Sequence, residues 1–316
     1  MCLQSTGPDI EIHDERTGMS TVGVIGLGLM GSALAERFLA DGRTVIGFDL
    51  REESRNQLER LGGEPLDSLH AVFASAPVVV LSLPNSDVVE EVCIEALHTR
   101  RAQTPKFQTW GTDRLLIIDT TTGEPRQTEK IGLLLNEEGI DYLDATITGS
   151  SQQARNGEVI VTVGGPIKPY QQSEELFRLF AKRWFHVGPW GSGARTKLVV
   201  NLVLGLNRAV LAEGLSFAKA CGLDVSEMLE ILKCGAAYSR AMDTKGQKMI
   251  DGEFAPEAKL SQHLKDVRLI LDAAREAEAI TPLSRLHEQL LSDLEQAGFG
   301  DLDNSAIIRA FEATHS

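Results

Sequence analysis

Six residues near the start of the chain constrain it most: Gly26-Leu27-Gly28-Leu29-Met30-Gly31. They follow directly on an apolar run, Val22 to Ile25, and lead into a helical pattern from Ser32 to Leu39. Between a strand and a helix, each glycine at this spacing has a physical use. Gly26 permits the tight turn off the strand, Gly28 lets the backbone approach a pyrophosphate, and Gly31 lets the helix pack closely on the sheet. The helix N-terminus offers unpaired N–H groups and a positive dipole end to phosphates, and Leu29 and Met30, between the glycines, are expected at the cofactor with them. The same spacing also serves a ligand-free strand-to-helix turn. Asp49 closes the next strand candidate, Thr44 to Phe48, at about the twenty-residue spacing of an adenine-ribose carboxylate. Such a carboxylate accepts both ribose hydroxyls and repels a 2′-phosphate, so NAD is the preferred cofactor. Arg51 could reach a 2′-phosphate, which keeps NADP open, and Asp49 could instead cap the following helix.

The rest of the first half repeats this alternation. Val78 to Leu83 is a continuous apolar run stopped by Pro84, and Leu115 to Ile118, Tyr142 to Ala145 and Val159 to Val163 read as further strands. Helical patterns cover Ser54 to Leu61, Asp87 to Leu97 and Glu129 to Glu138, and residues 98–114 read as a polar loop. Continuous apolar strands between helices imply an α/β, doubly wound parallel sheet. After Gly193 strand patterns vanish and helices take over: Arg195 to Cys221, Val225 to Lys233, Ala241 to Ile250, Leu260 to Ala279, Pro282 to Ala297 and Ser305 to Thr314. The first starts apolar almost all round, which predicts a helix inside protein. The expected organisation is a disordered leader at 1–20, with Met19 a second candidate start, a Rossmann domain at 21–190 and an all-α substrate and dimerisation domain at 191–316.

Composition narrows the partners. Acidic residues outnumber basic ones, 45 to 31, for a net charge of -14, which repels nucleic-acid and anionic membrane surfaces. Arg100, Arg101 and Lys106 form one basic patch, read as a solvated loop. The four cysteines, Cys2, Cys93, Cys221 and Cys234, lie too far apart for a metal or redox motif, and the histidines show no ligand spacing, so no metal is expected and free thiols in a cytoplasmic protein are. No apolar run approaches the length of a membrane span.

The glycine motif resembles that of the β-hydroxyacid dehydrogenase family, which includes 3-hydroxyisobutyrate dehydrogenase, tartronate semialdehyde reductase and the glyoxylate/succinic semialdehyde reductases. Further matching motifs follow in the family's order. Leu83-Pro84 ends a strand. Asp119-Thr120-Thr121-Thr122 with Pro125 resembles the family's Asp-x-Ser-Thr-x-x-Pro turn. Asp144 to Ser150 resembles its substrate loop, Gly191-x-Gly193 with Lys197 and Asn201 its catalytic segment, and Phe254 with Lys265-Asp266 its C-terminal cofactor contacts. The stretch 245–256 is closest to the glyoxylate/succinic semialdehyde branch. The resemblance spans about residues 21–312.

The resemblance implies an NAD(P)-dependent enzyme that interconverts a small carboxylate-bearing hydroxy acid and its semialdehyde or keto form. It makes Lys197 the general acid in reduction and base in oxidation, and gives Asn201 a positioning role. Thr148, Gly149 and Ser150 would hold the substrate, and Leu83, Pro84, Thr122 and Lys265 the cofactor. It also implies a 6-phosphogluconate dehydrogenase-like helical domain and a homodimer or homotetramer. The residues agree on several points. Lys197 and Asn201 share a helix face at i and i+4. Burial disfavours a lysine's charge, which suits proton exchange near neutrality, although a lysine at a helix start can also snorkel to solvent. The loop can aim N–H groups at an anion. Ser150, Gln152 and Gln153 stand where the family has small or apolar residues, which suggests a polar substrate. Tyr238 and Arg240 are further candidates for the substrate side, whereas Trp110, Trp184 and Trp190 read as packing residues. An imine reductase is the alternative enzyme, disfavoured by Lys197, and a 6-phosphogluconate dehydrogenase needs a longer helical domain. A non-catalytic dinucleotide-binding scaffold is the alternative of another class.

Overall fold

The computed structural model describes residues 21–102 and 114–312. The first half alternates strand and helix: β1 (Thr21–Ile25), α1 (Leu29–Ala40), β2 (Thr44–Phe48), α2 (Glu52–Arg60), β3 (Glu64–Pro65), α3 (Leu69–Ser75), β4 (Val78–Leu81), α4 (Ser86–Ala102), β5 (Leu116–Asp119), α5 (Pro125–Glu137), β6 (Asp141–Thr148), α6 (Ser151–Arg155), β7 (Val159–Gly164), α7 (Ile167–Phe180) and β8 (Ala181–Gly188). The strands form one sheet in the order β3-β2-β1-β4-β5-β6-β7-β8. β4 and β5 are buried at every position because helices cover both faces, which is why they read as unbroken apolar runs. One face packs Val24, Leu34, Phe38, Val80 and Ile118, and the other Val72, Val79, Ile117, Leu135 and Tyr142. The strand order reverses at β1, which pairs with β2 on one side and β4 on the other. The crevice beyond that reversal is where such sheets bind ligands.

Three expectations about the sheet half change. The sheet is not wholly parallel: β6 and β7 pair antiparallel, Thr148 opposite Ile160. Only residues 149–158 join them, and a parallel crossover needs about a dozen or more. The stretch read as a polar loop from residue 98 continues α4 to Ala102, with Thr99 buried and donating to the Glu95 carbonyl. Arg100 and Arg101 therefore sit in a helical last turn, and Arg101 pairs with Glu138, while Lys106 and Trp110 lie outside the described residues. The segment after Val163, which carried no element in the sequence reading, holds α7 and β8. β8 has a mixed pattern, buried at Ala181 but exposed at Lys182 and Arg183, because it is an edge strand.

The second half is helical: α8 (Ser192–Ala220), α9 (Val225–Cys234), α10 (Arg240–Asp251), α11 (Leu260–Glu276) and α12 (Pro282–Leu294), then a π-helical turn at Glu295–Phe299 and a 3-10 stretch at Asn304–Phe311. Its core gathers Leu211, Leu215, Leu229, Leu260, Leu264 and Ile307. Phe254, expected at the cofactor, belongs to this core instead, under the Arg309 guanidinium. By length and composition α8 would cross a membrane, contrary to the sequence reading. One side of it instead packs on β6, β7, β8, α5, α9, α10, α11, α12 and the 3-10 stretch.

Nor is α8 buried all round. Lys197, Asn201, Gly205 and Arg208 recur at helical spacing on its inner side, with Asn201 and Gly205 buried. The opposite side carries Val199, Val203, Val210 and Phe217, exposed by 63%, 51%, 68% and 71%. The inner side is apolar as well, at Leu211, Ala212 and Leu215, so the helix is apolar on both sides, and the expectation that fails is the burial of the outer one.

Candidate active site

At the crevice, backbone geometry dictates two of the glycines. Gly26 has φ +87°, and a Cβ there would stand 2.2 Å from the Ser82 carbonyl oxygen. A Cβ on Gly31 would stand 1.9 Å from the Gly26 carbonyl oxygen. Gly28, the N-cap of α1, differs: it makes no side-chain cap, and a Cβ there would meet nothing nearer than Arg51 Nη2 at 3.8 Å. The first-turn N–H groups of α1 therefore face an open approach. That cradle fits a pyrophosphate. Leu29 is exposed beside it, and Met30 packs against the sheet core.

Asp49 reaches back to this turn. Its Oδ2 accepts the Leu27 N–H at 2.8 Å and its Oδ1 accepts the Arg51 N–H at 2.8 Å. Oδ2 keeps a lone pair for a ribose hydroxyl, and Oδ1 gains one if the Arg51 side chain moves aside. The Arg51 guanidinium lies 3.4 Å from Asp49 Oδ1, and Arg55 Nη1 donates to the Asp49 carbonyl at 2.6 Å. Across the crevice the Leu83 N–H donates to Thr121 Oγ1 at 3.1 Å, next to Thr122. Lys265 of α11 donates to the Pro84 carbonyl at 2.6 Å. The predicted cofactor residues thus gather in two groups, one around the glycine turn and Asp49, the other around Leu83, Pro84, Thr122 and Lys265. Together they fit a dinucleotide.

Lys197 is positioned from β6. Buried Asp144 accepts the Ala194 N–H at 3.0 Å and the Gly191 N–H at 3.3 Å, and Thr146 Oγ1 donates to the Gly193 carbonyl at 3.0 Å. Gly193 has no room for a side chain, since a Cβ would lie 2.3 Å from the Asp144 carbonyl oxygen. Burial pushes the Asp144 carboxyl up to about 7 despite its N–H donors. These contacts clamp the start of α8 to β6, and Lys197 Nζ then donates to the Ile147 carbonyl at 2.7 Å. Asn201 donates to Asp266 Oδ2 on α11 at 3.0 Å, while Asp266 Oδ1 is buried without a partner. Burial lowers the Lys197 pKa, and the Asp266 charge opposes the change. Burial raises that of Asp266, opposed by Lys197, Lys265 and Arg208. A lowered pKa makes the ammonium a readier proton donor, and its amine can take the proton back.

The loop after β6 is less open than expected. Gly149 has φ +142°, and Ser150 caps α6. The Ser150 N–H donates to Gln153 Oε1 at 2.9 Å, and the Gln153 N–H to Ser150 Oγ at 3.2 Å. This capping box occupies one N–H group that an anion was expected to use. Its Ser-x-x-Gln signal stands in the sequence. Thr148, half-buried, leads into the loop. Tyr238 is exposed, with its hydroxyl on Asp243 at 2.5 Å. Trp190 packs on Gly132 and donates to the Tyr142 carbonyl, and Trp184 packs against the sheet core. Sequence reasoning gave no place to Arg208 and none to Asp144 or Asp266 beyond their motifs. Only the polar spacing Lys197, Asn201, Arg208 within an apolar helix signalled the first. Among the described residues no group of three or more histidine, cysteine or acidic side chains could hold a metal, and Cys93, Cys221 and Cys234 are free.

Residues 21–188 match the family described as the NAD binding domain of 6-phosphogluconate dehydrogenase. Residues 191–311 match that described as NAD-binding of NADP-dependent 3-hydroxyisobutyrate dehydrogenase. The chain is 32% identical to 2-(hydroxymethyl)glutarate dehydrogenase of Eubacterium barkeri, over 92% of this chain and 94% of that one. It is 29% identical to 2-hydroxy-3-oxopropionate reductase of Escherichia coli, over 92% and 97%. A Mycobacterium tuberculosis 3-hydroxyisobutyrate dehydrogenase structure with L-serine shares the fold, with TM-score 0.83 at 24% identity over 93% of this chain and 100% of that one.

Proposed function

The chain belongs to the β-hydroxyacid dehydrogenase family and is an NAD(P)-dependent oxidoreductase; on that premise we propose that it interconverts a small carboxylate-bearing hydroxy acid and its semialdehyde or keto form, with Lys197 as general acid and base. The observation that carries this reading is the placement of Lys197: partly buried, clamped to the end of β6 through Asp144, and on the same helix face as Asn201. Gly26, Gly28 and Gly31, with Leu29 and Met30, would hold the pyrophosphate. Asp49 would hold the adenine ribose, and Leu83, Pro84, Thr122 and Lys265 the nicotinamide end. When bound, the nicotinamide supplies the hydride for reduction or takes it in oxidation.

The chain's own groups do the rest. The Lys197 ammonium donates a proton to the substrate carbonyl oxygen in reduction, and its amine recovers the proton from the hydroxyl in oxidation. Asn201, fixed by Asp266, positions the substrate and the lysine. Thr148, Gly149 and Ser150 bind the substrate carboxylate, which competes with Gln153 for the Ser150 N–H. NAD is the preferred cofactor, because Asp49 is oriented for ribose hydroxyls. The working unit is a homodimer whose second copy covers the outer face of α8. Val199, Val203, Leu206, Val210 and Phe217 follow heptad-like spacing, and an antiparallel copy of the same helix would set Val199 over Phe217 and Leu206 over Val210. An apolar groove of about 400 Å³, lined by Leu198, Leu202 and Ile270, continues this face through Val199.

The test is reduction of NAD+ and NADP+ with a panel of small hydroxy acids (3-hydroxyisobutyrate, glycerate, 4-hydroxybutyrate, threonate and sulfonated analogues), repeated with Lys197→Ala. Turnover of one acid by the wild type, lost in a folded variant, supports the reading. Near-full turnover by Lys197→Ala refutes the assignment of Lys197.

A further inference from the structure

The start of α8 is held by more than the Asp144 carboxylate. Thr146 follows Asp144 by two residues on β6, on the same face of the strand, and is fully buried. The antiparallel pairing of β6 with β7 sets it directly opposite Thr162, which is buried too. The two hydroxyl oxygens are 2.8 Å apart. Thr146 Oγ1 also lies 3.0 Å from the Gly193 carbonyl oxygen and 3.4 Å from that of Thr162.

A hydroxyl carries one proton, so Thr146 can donate to one of these acceptors. The Gly193 carbonyl is the nearer one. Thr146 therefore donates to Gly193 and accepts from the Thr162 hydroxyl, and bonds linked in this way polarise one another. In an α-helix the carbonyl of one residue accepts the N–H of the residue four further on, which for Gly193 is Lys197. The N–H at the other end of the same peptide, that of Ala194, donates to Asp144 Oδ2 at 3.0 Å. One peptide plane is thus gripped at its carbonyl by Thr146 and at its N–H by Asp144. It has no slack, since a Cβ on Gly193 would stand 2.3 Å from the Asp144 carbonyl oxygen and 2.8 Å from that of Thr162. The far end of the lysine returns to the same strand, where Nζ donates to the carbonyl of Ile147, the neighbour of Thr146, at 2.7 Å.

We propose that Thr146, backed by Thr162, is a positioning residue for the reaction: it fixes the peptide from which Lys197 is suspended and so sets the reach of the ammonium towards the substrate carbonyl. The Asp144 carboxylate alone would leave that peptide free to pivot about its N–H end. The Thr146 hydroxyl holds the carbonyl end and removes the pivot. Being fully buried, Thr146 touches neither substrate nor cofactor, so its loss should alter proton transfer and spare binding. The inference rests on Lys197 being the general acid and base.

The test is single-turnover reduction, in H2O and in D2O with saturating NADH, of the semialdehyde or keto form of the acid that the wild type turns over. Thr146→Val keeps the branched shape and removes the hydroxyl. Its rate should fall by about tenfold, because a misplacement of about 1 Å can cost roughly a hundredfold. KM and NADH affinity should stay unchanged, and the solvent isotope effect should grow as proton transfer becomes the slower event. Thr146→Ser keeps the hydroxyl and should restore both rate and isotope effect. A loss of packing alone would reduce the folded fraction and leave the isotope effect at its wild-type value. A folded Thr146→Val protein with the wild-type rate and isotope effect overturns the inference. If Lys197→Ala is inactive while that holds, only the role of Thr146 falls, whereas near-full turnover by Lys197→Ala removes the reading and the inference together. Should Thr146→Val fail to fold, Thr146→Val combined with Thr162→Val decides, because an apolar pair strands no buried hydroxyl. The same loss is expected of the pair, and a wild-type rate overturns the inference.

Discussion

The sheet half and the helical half place their polar groups differently around apolar cores. In the sheet half helices cover an apolar core on both faces, Asp49 and Thr121 stand just past strand ends, and Asp144 is buried within β6. In the helical half the long helix α8 turns Lys197, Asn201 and Arg208 inward and leaves Val199, Val203, Val210 and Phe217 outside. A sheet covered on both sides completes its own core, so its site is built by backbone, mostly by where glycines allow close approach. A helix that buries polar groups has to satisfy them through partners on other helices, and its apolar side is left for another surface to cover. The cofactor edge therefore depends on shape, and the proton-transfer edge on charge.

The comparison breaks first at the outer face of α8. Val210→Glu with Phe217→Glu should raise the dimer dissociation constant by about a thousandfold, the equivalent of about 4 kcal/mol of lost apolar burial. Sedimentation velocity reads this, and a wild type that is monomeric at all concentrations removes the second copy. Next is the backbone-limited turn. Gly31→Ala should lower stability by more than about 3 kcal/mol, because its Cβ would press on a backbone carbonyl that cannot move aside. Gly28→Ala should fold within about 1 kcal/mol of wild type yet bind NADH more than about tenfold weaker, since its methyl fills the open approach. Equal stability of the two variants in urea would dissolve the distinction between them.

A smaller effect tests the charge-built side. Burial lowers the His287 pKa from 6.5 to about 4. Between those values the unfolded chain binds a proton that the native chain refuses. The stabilisation is fully present above 6.5 and is lost as pH falls toward 4, by about 3 kcal/mol. Asp144 works the other way: with its native pKa raised to about 7, it costs stability as pH rises from 3.8 to 7. The two slopes offset in the wild type, so His287→Gln isolates the histidine. Urea unfolding should show the wild type losing its advantage over the variant on acidification, and parallel curves would count against the assignment. The smallest effect is at the ribose. Asp49→Ser should shift the NAD-to-NADP binding ratio toward NADP by about tenfold, or 1.4 kcal/mol. An unmoved ratio by fluorescence titration would mean that Asp49 only holds the Leu27 and Arg51 N–H groups.

What the sequence made legible follows from local physics. Strands buried on both faces read as apolar runs, the glycine triplet sits where a strand meets a helix, and Lys197 with Asn201 share a face because i and i+4 always do. What it hid was non-local. The pairing of Asn201 with Asp266 joins residues 65 apart in the chain, and no local pattern marks it. β8 was hidden because an edge strand, half exposed, does not read as an apolar run. The outward face of α8 was hidden because composition reports how apolar a helix is and not which side meets solvent. The Gln153 contact with Ser150 was visible as a capping box, but the loop reads equally well as an anion-binding turn.

The most direct test of the central claim is a paired measurement on Lys197→Ala: NADH affinity by fluorescence, and single-turnover reduction of the semialdehyde or keto form of the acid found in the panel. Lys197 acts on a proton, and its removal leaves the cofactor edge intact. The expected result is wild-type NADH affinity with a reduction rate lower by about 10³-fold, the middle of the range for loss of a positioned acid. A rate within tenfold of wild type at unchanged affinity would contradict it, and the proton would have to come from elsewhere.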